Sequence, residues 1–299
     1  MRKPAPLKRG DLVGVLAPAG AIEAAAVSTG VRVLEQAGYR VRVGESVFKR
    51  VGYLAGSDAD RVMDLENMFL DPEVKAILSA RGGYGSGRLL PLLDVEVLRA
   101  NPKIFVGYSD LTFLLTLLNQ QADLVTFHGP MVMGLGQHPE GARALLEMLA
   151  GGHAGWNVAA GEVIQPGTAE GMVAGGCLSV LVATLGTPYE IQTRDRILFL
   201  EDVNEKPYRI DRMLTHLRQA GKLDGVLGVI FGEMHGCTAD PHEAVTVRDV
   251  IRQAFEDAPY PVAMGLPTGH GRGAVTLPLG VRARLAGNRL TLLEPPMAG

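Results

Sequence analysis

The sequence predicts an α/β protein: an N-terminal parallel sheet covered on both faces by helices, then a smaller β-rich domain. Three observations predict it. Short apolar runs alternate with helix-spaced segments through the first 120 residues. Glycine, at 38 of 299 residues, falls in short clusters where strand-to-helix turns belong. After about residue 150 the pattern changes to shorter strand candidates with two clear helices.

Strands buried on both faces of a parallel sheet read as continuous apolar runs. Residues 11–17 form such a run, ended by Pro18 and Gly20. Residues 21–37 then place Val27, Val31 and Leu34 at helical spacing, and Gly38 is suited to a C-cap. A strand over 39–43 and a helix over 59–70 follow, the helix stopped before Asp71-Pro72. The strand at 74–79 runs into Arg81-Gly82-Gly83-Tyr84-Gly85-Ser86-Gly87, after which a helix begins over 87–93. A strand over 103–108 leads directly to a helix over 110–120. The chain thus divides into an α/β domain over 1–150, a glycine-containing connector over 151–167, and a β-rich domain over 168–299. Within the last, strands are expected at 171–173, 197–201, 226–231, 283–286 and 290–293, with helices over 208–220 and 247–255.

Composition excludes several function classes. Twenty-nine Lys and Arg against 32 Asp and Glu leave a formal charge of −3, with no basic cluster to hold nucleic acid or anionic lipid. No apolar stretch approaches the roughly 20 residues that span a bilayer, and the short run after the basic N-terminus makes a poor signal peptide. The two cysteines, Cys177 and Cys237, indicate neither a disulfide framework nor a Cys-based metal site. No H-E-x-x-H or comparable ligand spacing occurs, so the metal reading is weak; acyl transfer by side chains alone would need no cofactor. A cytoplasmic protein is the reading.

Three segments carry candidate chemistry. Ser109 stands between a buried strand and a helix start, in Gly107-Tyr108-Ser109-Asp110, the context of a nucleophile elbow. There the Asp110 amide faces the space where an oxyanion would form, and the helix N-terminus adds partial positive charge. The G-x-S-x-G pattern is half met, because Leu111 replaces the second glycine, and a plain helix N-cap fits the same residues. The turn 81–87 lies at a strand's carboxyl end, where α/β sheets bind ligands, so the Gly83 amide is a second oxyanion donor; a tight structural turn is the alternative. It lacks the Gly-Lys-Ser/Thr of a phosphate loop. Glu201 ends an apolar strand, placed to orient a histidine, although solvated acids at strand ends are common. His270, flanked by Gly269 and Gly271, is the candidate base, and His128 is its competitor.

Together, Arg81-Gly-Gly-Tyr-Gly85, Gly107-Tyr-Ser-Asp110, Leu200-Glu-Asp-Val-Asn-Glu205 and Gly269-His-Gly271 resemble the L,D-carboxypeptidase family of serine peptidases. The match runs from Gly10-Asp11 to beyond His270. The resemblance implies Ser109 as nucleophile, Glu201 as relay acid, His270 as base, and the amides of Asp110 and Gly83 as the oxyanion hole. It also implies a flavodoxin-like or amidotransferase-like N-terminal domain, a β-barrel-like C-terminal domain and a homodimer. The implied reaction releases the terminal D-alanine of a murein tetrapeptide during cell-wall recycling, with Arg81 and Tyr84 as candidate substrate-binding side chains. The related microcin-immunity peptidases, which cut a peptidyl-nucleotide, are longer than this chain. A non-catalytic peptide-binding module is the reading from another class. Cys177 departs from the family, where asparagine is expected.

Overall fold

The computed structural model describes residues 1–240, 242, 244–271 and 275–299. In chain order, the first elements are β1 (Leu12–Leu16), α1 (Ala24–Gln36), β2 (Arg40–Val43), α2 (Asp58–Leu70) and β3 (Val74–Ser79). Then come α3 (Val95–Ala100), β4 (Ile104–Gly107), α4 (Thr112–Gln120), β5 (Thr126–His128), α5 (Val132–Leu135) and α6 (Pro139–Leu149). The next stretch holds β6 (Asn157–Ala159), β7 (Glu162–Gln165), β8 (Thr168–Cys177), α7 (Leu178–Ala183), β9 (Arg196–Val203) and α8 (Pro207–Gln219). Last are β10 (Gly228–His235), α9 (Val247–Phe255), β11 (Val262–Met264), β12 (Leu277–Leu279), β13 (Arg282–Ala286) and β14 (Arg289–Leu292).

The first compact unit comprises Met1–His153, Val275–Gly280 and Pro295–Gly299. Its sheet runs β2-β1-β3-β4-β5 in parallel, with β12 antiparallel on the β5 edge. This is the 2-1-3-4-5 strand order of flavodoxin-like sheets. β1 and β4 are buried throughout and β3 at all but Lys75, which explains their apolar runs. α1 buries Val27, Gly30 and Leu34 along one stripe. Ser57 and Asp60 close a capping box at the start of α2. β1 connects outward to β2 and β3 in the other direction to β4, so their carboxyl ends flank the topological switch point. There the Gly20 N–H donates to Gly82 O at 3.0 Å, tying the loop after β1 to the glycine turn after β3.

The second unit comprises Ala154–Ala274 and Val281–Glu294. Four parallel strands, β8-β9-β10-β11, form its centre, flanked by antiparallel β13, β14 and β6 on one side and β7 on the other. Crossover helices α7, α8 and α9 join the parallel strands, and Leu181, Ile210, Leu214, Ile251 and Phe255 bury against Leu198, Leu200 and Phe231.

Several expectations change. The second unit is an open mixed sheet ending at β6 and β7, which no pairing joins among the described residues, instead of a closed barrel. The parallel strands at its centre are joined by crossover helices, which lay the sheet out as an open α/β layer. The expected connector over 151–167 contributes both end strands. The helix expected over 87–93 is two 3-10 turns, Ser86–Arg88 and Leu90–Leu92; Pro91 lacks the N–H that a longer helix would use. Among the described residues no helix is long and apolar enough to cross a membrane.

Candidate active site

The first unit positions Ser109. β4 ends at Gly107, Tyr108 is extended, and Ser109 adopts φ +62°, a left-handed conformation that non-glycine residues rarely hold. A 3-10 turn over Ser109–Leu111 then opens into α4. The missing second glycine has a physical reason. Leu111 is fully buried and folds back on Gly107, where an added Cβ would lie 2.8 Å from Leu111 Cβ and 3.1 Å from Ser79 Oγ. The glycine requirement therefore falls on the N-terminal side of the serine only.

The glycine turn packs beside this elbow. A Cβ on Gly82 would sit 3.1 Å from Ser109 Cβ and 3.4 Å from its Oγ, so a side chain there would press on the serine. Gly83 and Gly85 take φ +101° and +127°. Asp110 is buried, and its carboxylate is a clamp: Oδ2 accepts the Ser86 N–H at 2.8 Å, while its own carbonyl accepts the Ser86 hydroxyl at 2.7 Å. Ser86 thus ties the glycine turn to the residue after Ser109, a link the sequence does not announce, since a serine in a glycine turn carries no signal of its partner. Arg81 donates to Ala21 O at 2.6 Å, and Tyr84 stays half exposed in an edge-to-face pair with Tyr53 at 5.5 Å. His128, the rival base, is buried at the end of β5, with its ring 5.9 Å from that of Tyr108.

The second unit pairs Glu201 with His270. Glu201, near the end of β9, is fully buried, and its Oε2 lies 2.7 Å from His270 Nδ1. A carboxylate there accepts the Nδ1 proton, which leaves Nε2 as the acceptor. Thr268 O accepts the Glu233 N–H at 2.9 Å, tying the histidine loop to β10. Gly269 has φ +131°, and a Cβ there would lie 2.9 Å from Glu201 Oε2, so glycine is demanded by the carboxylate itself. Arg272 and Gly273 of the same loop lie outside the described residues.

Successive strand residues face opposite ways, and Asp202 has a separate task. Its carboxylate accepts the Ser179 N–H and the Val203 N–H, both at 2.8 Å, and lies 3.7 Å from Cys177 Sγ. Burial raises the Asp202 carboxyl above its ordinary range. Burial, with Glu201 and Asp202 adding to it, pushes the Cys177 thiol well above the usual value, so the thiol stays protonated. Among the described residues no group of three or more His, Cys, Asp or Glu is placed to hold a metal.

Two family models match this sequence, the LD-carboxypeptidase N-terminal domain over residues 13–129 and the LD-carboxypeptidase C-terminal domain over 170–285. The chain belongs to the LD-carboxypeptidase family. Among LD-carboxypeptidase relatives, the probable murein peptide carboxypeptidase of Bacillus subtilis is 40% identical over 290 residues, covering 95% of this chain and 91% of its own. The crystal structure of muramoyltetrapeptide carboxypeptidase from Oxalobacter formigenes superposes with a TM-score of 0.87 at 28% identity, covering 96% of this chain and all of that one. The microcin C7 self-immunity protein MccF of Escherichia coli is 28% identical, over 93% of this chain and 91% of its own. An MccF structure superposes with a TM-score of 0.91 at 25% identity, over 99% of both chains.

Proposed function

We propose that this LD-carboxypeptidase is a cytoplasmic serine peptidase that releases the C-terminal D-alanine of murein tetrapeptides. The observation that carries the reading furthest is the buried Glu201 carboxylate on His270 Nδ1. A histidine oriented in this way is a general base with its Nε2 free of the proton. The left-handed backbone of Ser109 and the close approach of Gly82 support its assignment as nucleophile. In this reading His270 takes the Ser109 proton as Oγ attacks the carbonyl of the penultimate residue. The Asp110 and Gly83 amides stabilise the oxyanion, and protonated His270 delivers its proton to the departing D-amino acid. Water then repeats the sequence on the acyl-enzyme. Arg81 is the candidate cation for the substrate carboxylate.

Two buried cysteines in a chain with no disulfide framework, Cys177 and Cys237, support a reducing compartment. A homodimer belongs to the same proposal, and sedimentation that returns only the monomer mass would remove it. The deciding experiment follows D-alanine release from murein tetrapeptide by the parent and Ser109→Ala. Loss of about 10³-fold or more is expected, the magnitude seen when a triad nucleophile is removed. Undiminished turnover by S109A sinks the nucleophile assignment. A folded parent that ignores the tetrapeptide but cuts a peptidyl-nucleotide would move the substrate to the MccF type.

A further inference from the structure

Arg61, on α2, is 1% exposed and has no role so far. A guanidinium keeps its charge in proteins, and burying it is costly unless its N–H groups are answered. Nη2 pairs with Asp58, a carboxylate shared with Arg88. Nη1 donates to two backbone carbonyls, Pro18 O at 2.7 Å and Gly85 O at 2.9 Å. Nε is buried with no partner among the described residues. For stability alone, an apolar side chain of similar volume would serve as well. The buried charge is spent instead on two loops, the one after β1 and the glycine turn after β3.

The Gly85 contact reaches the nucleophile turn through a single peptide unit. The Gly85–Ser86 peptide is planar and trans, so its carbonyl and its amide point in opposite directions. Arg61 holds the carbonyl, and Asp110 Oδ2 holds the amide at 2.8 Å. One peptide is therefore gripped between a buried cation and the buried carboxylate that follows Ser109. A side chain at this point would be strained by φ +127° and would displace the guanidinium: a Cβ on Gly85 would lie 2.4 Å from Leu54 Cδ2 and 2.9 Å from Arg61 Nη1. The Pro18 contact acts on the other loop. Two residues on, Gly20 donates to Gly82 O at 3.0 Å, and by the same planarity this turns the Gly83 N–H away from Gly20. Both segments that supply the proposed oxyanion donors are thus anchored through one guanidinium.

We propose that Arg61 is a positioning residue for transition-state stabilisation, setting the Gly83 and Asp110 amides by holding the Pro18 and Gly85 carbonyls. The assignment rests on the serine-peptidase reading above. It is tested on murein tetrapeptide with Arg61→Met, Arg61→Lys, Asp58→Asn and Ser109→Ala, alongside inhibition by a peptide boronate that forms a tetrahedral serine adduct. R61M is expected to lose about 10- to 100-fold in kcat with KM within about threefold, less than the loss when an oxyanion donor is itself removed. The boronate is expected to weaken by the same factor. D58N removes the ion pair but leaves both carbonyls held, so its kcat is expected to stay within about threefold of the parent. Parent-like kcat in R61M, or a D58N loss equal to that of R61M, overturns the assignment. Should R61M not fold, R61K decides: lowered kcat at unchanged KM supports positioning, and parent kcat overturns it. If S109A turns over normally, the serine-peptidase reading itself falls; if S109A is dead and R61M is parent-like, only the Arg61 assignment falls.

Discussion

At 2.7 Å from Glu201 Oε2, His270 Nδ1 has an acceptor fully shielded from water, which fixes both the ring plane and the tautomer. Glu201→Gln replaces one acceptor oxygen with an NH₂ group and permits the wrong tautomer. It is expected to lower kcat by about 10³- to 10⁴-fold, with little change in the folded state. Steady-state kinetics beside a thermal melt check this; a loss under tenfold would remove Glu201 from the relay. At this scale the sequence was only partly legible. Ser109, Glu201 and His270 each have a local structural reading stronger than the catalytic one, and only the family-like order of their motifs along the chain favours a triad. Arg61 sits in Asp58-Ala59-Asp60-Arg61, which has the charge pattern of an exposed helix face, and nothing local marks it as buried. Ser86 and Asp202 were missed for the same reason: their partners, Asp110 and Ser179, lie 24 and 23 residues away.

Elements long enough to show a period were legible. The strand expected over 74–79 and the helix over 247–255 match β3 and α9 at both ends, and α2 begins one residue earlier than expected. Three-residue strands such as β5, β6, β11 and β12 were not, because a run of three shows no alternation and takes its form from the neighbour's register. α5, at four residues, is too short to be stable alone and is held by α1. Its carbonyl at Val132 would lie 2.1 Å from a Cβ on Gly30, so the glycine inside α1 belongs to this packing. Both capping boxes stand on local signals, Ser57 with Asp60 and Thr246 with Asp249. Ser57→Ala and Thr246→Ala are each expected to cost about 1 kcal/mol in urea unfolding and to leave kcat unchanged. A cost near zero at both would mean that tertiary packing alone holds these helix starts.

The division of the whole molecule is less simple than a cut near residue 150. The chain returns to the first unit as β12 and again over 295–299, after leaving for β13 and β14 in between. These pairings join β12 to β5 and β13 to β8 across more than 100 residues, a separation that no local pattern encodes. Global stability also carries a pH dependence that the composition hides. Lys103, 6% exposed at the amino end of β4, donates to Asp71 O and Val74 O, each at 2.5 Å. Burial, with Lys75 adding to it and Asp71 opposing, pulls its ammonium from the ordinary 10.5 down to about 8. Below pH 8 the folded and unfolded chains both hold this proton, and the residue contributes no slope. Between about 8 and 10.5 the unfolded chain keeps a proton that the folded chain has released, so stability attributable to Lys103 rises with pH. Unfolding free energies of the parent and Lys103→Met, measured in urea from pH 6 to 10, isolate the effect because every other group is common to both. The difference is expected to be flat below pH 7 and to move in favour of the parent above pH 8. A difference that stays flat to pH 10 would show that the Lys103 amine titrates like an exposed one.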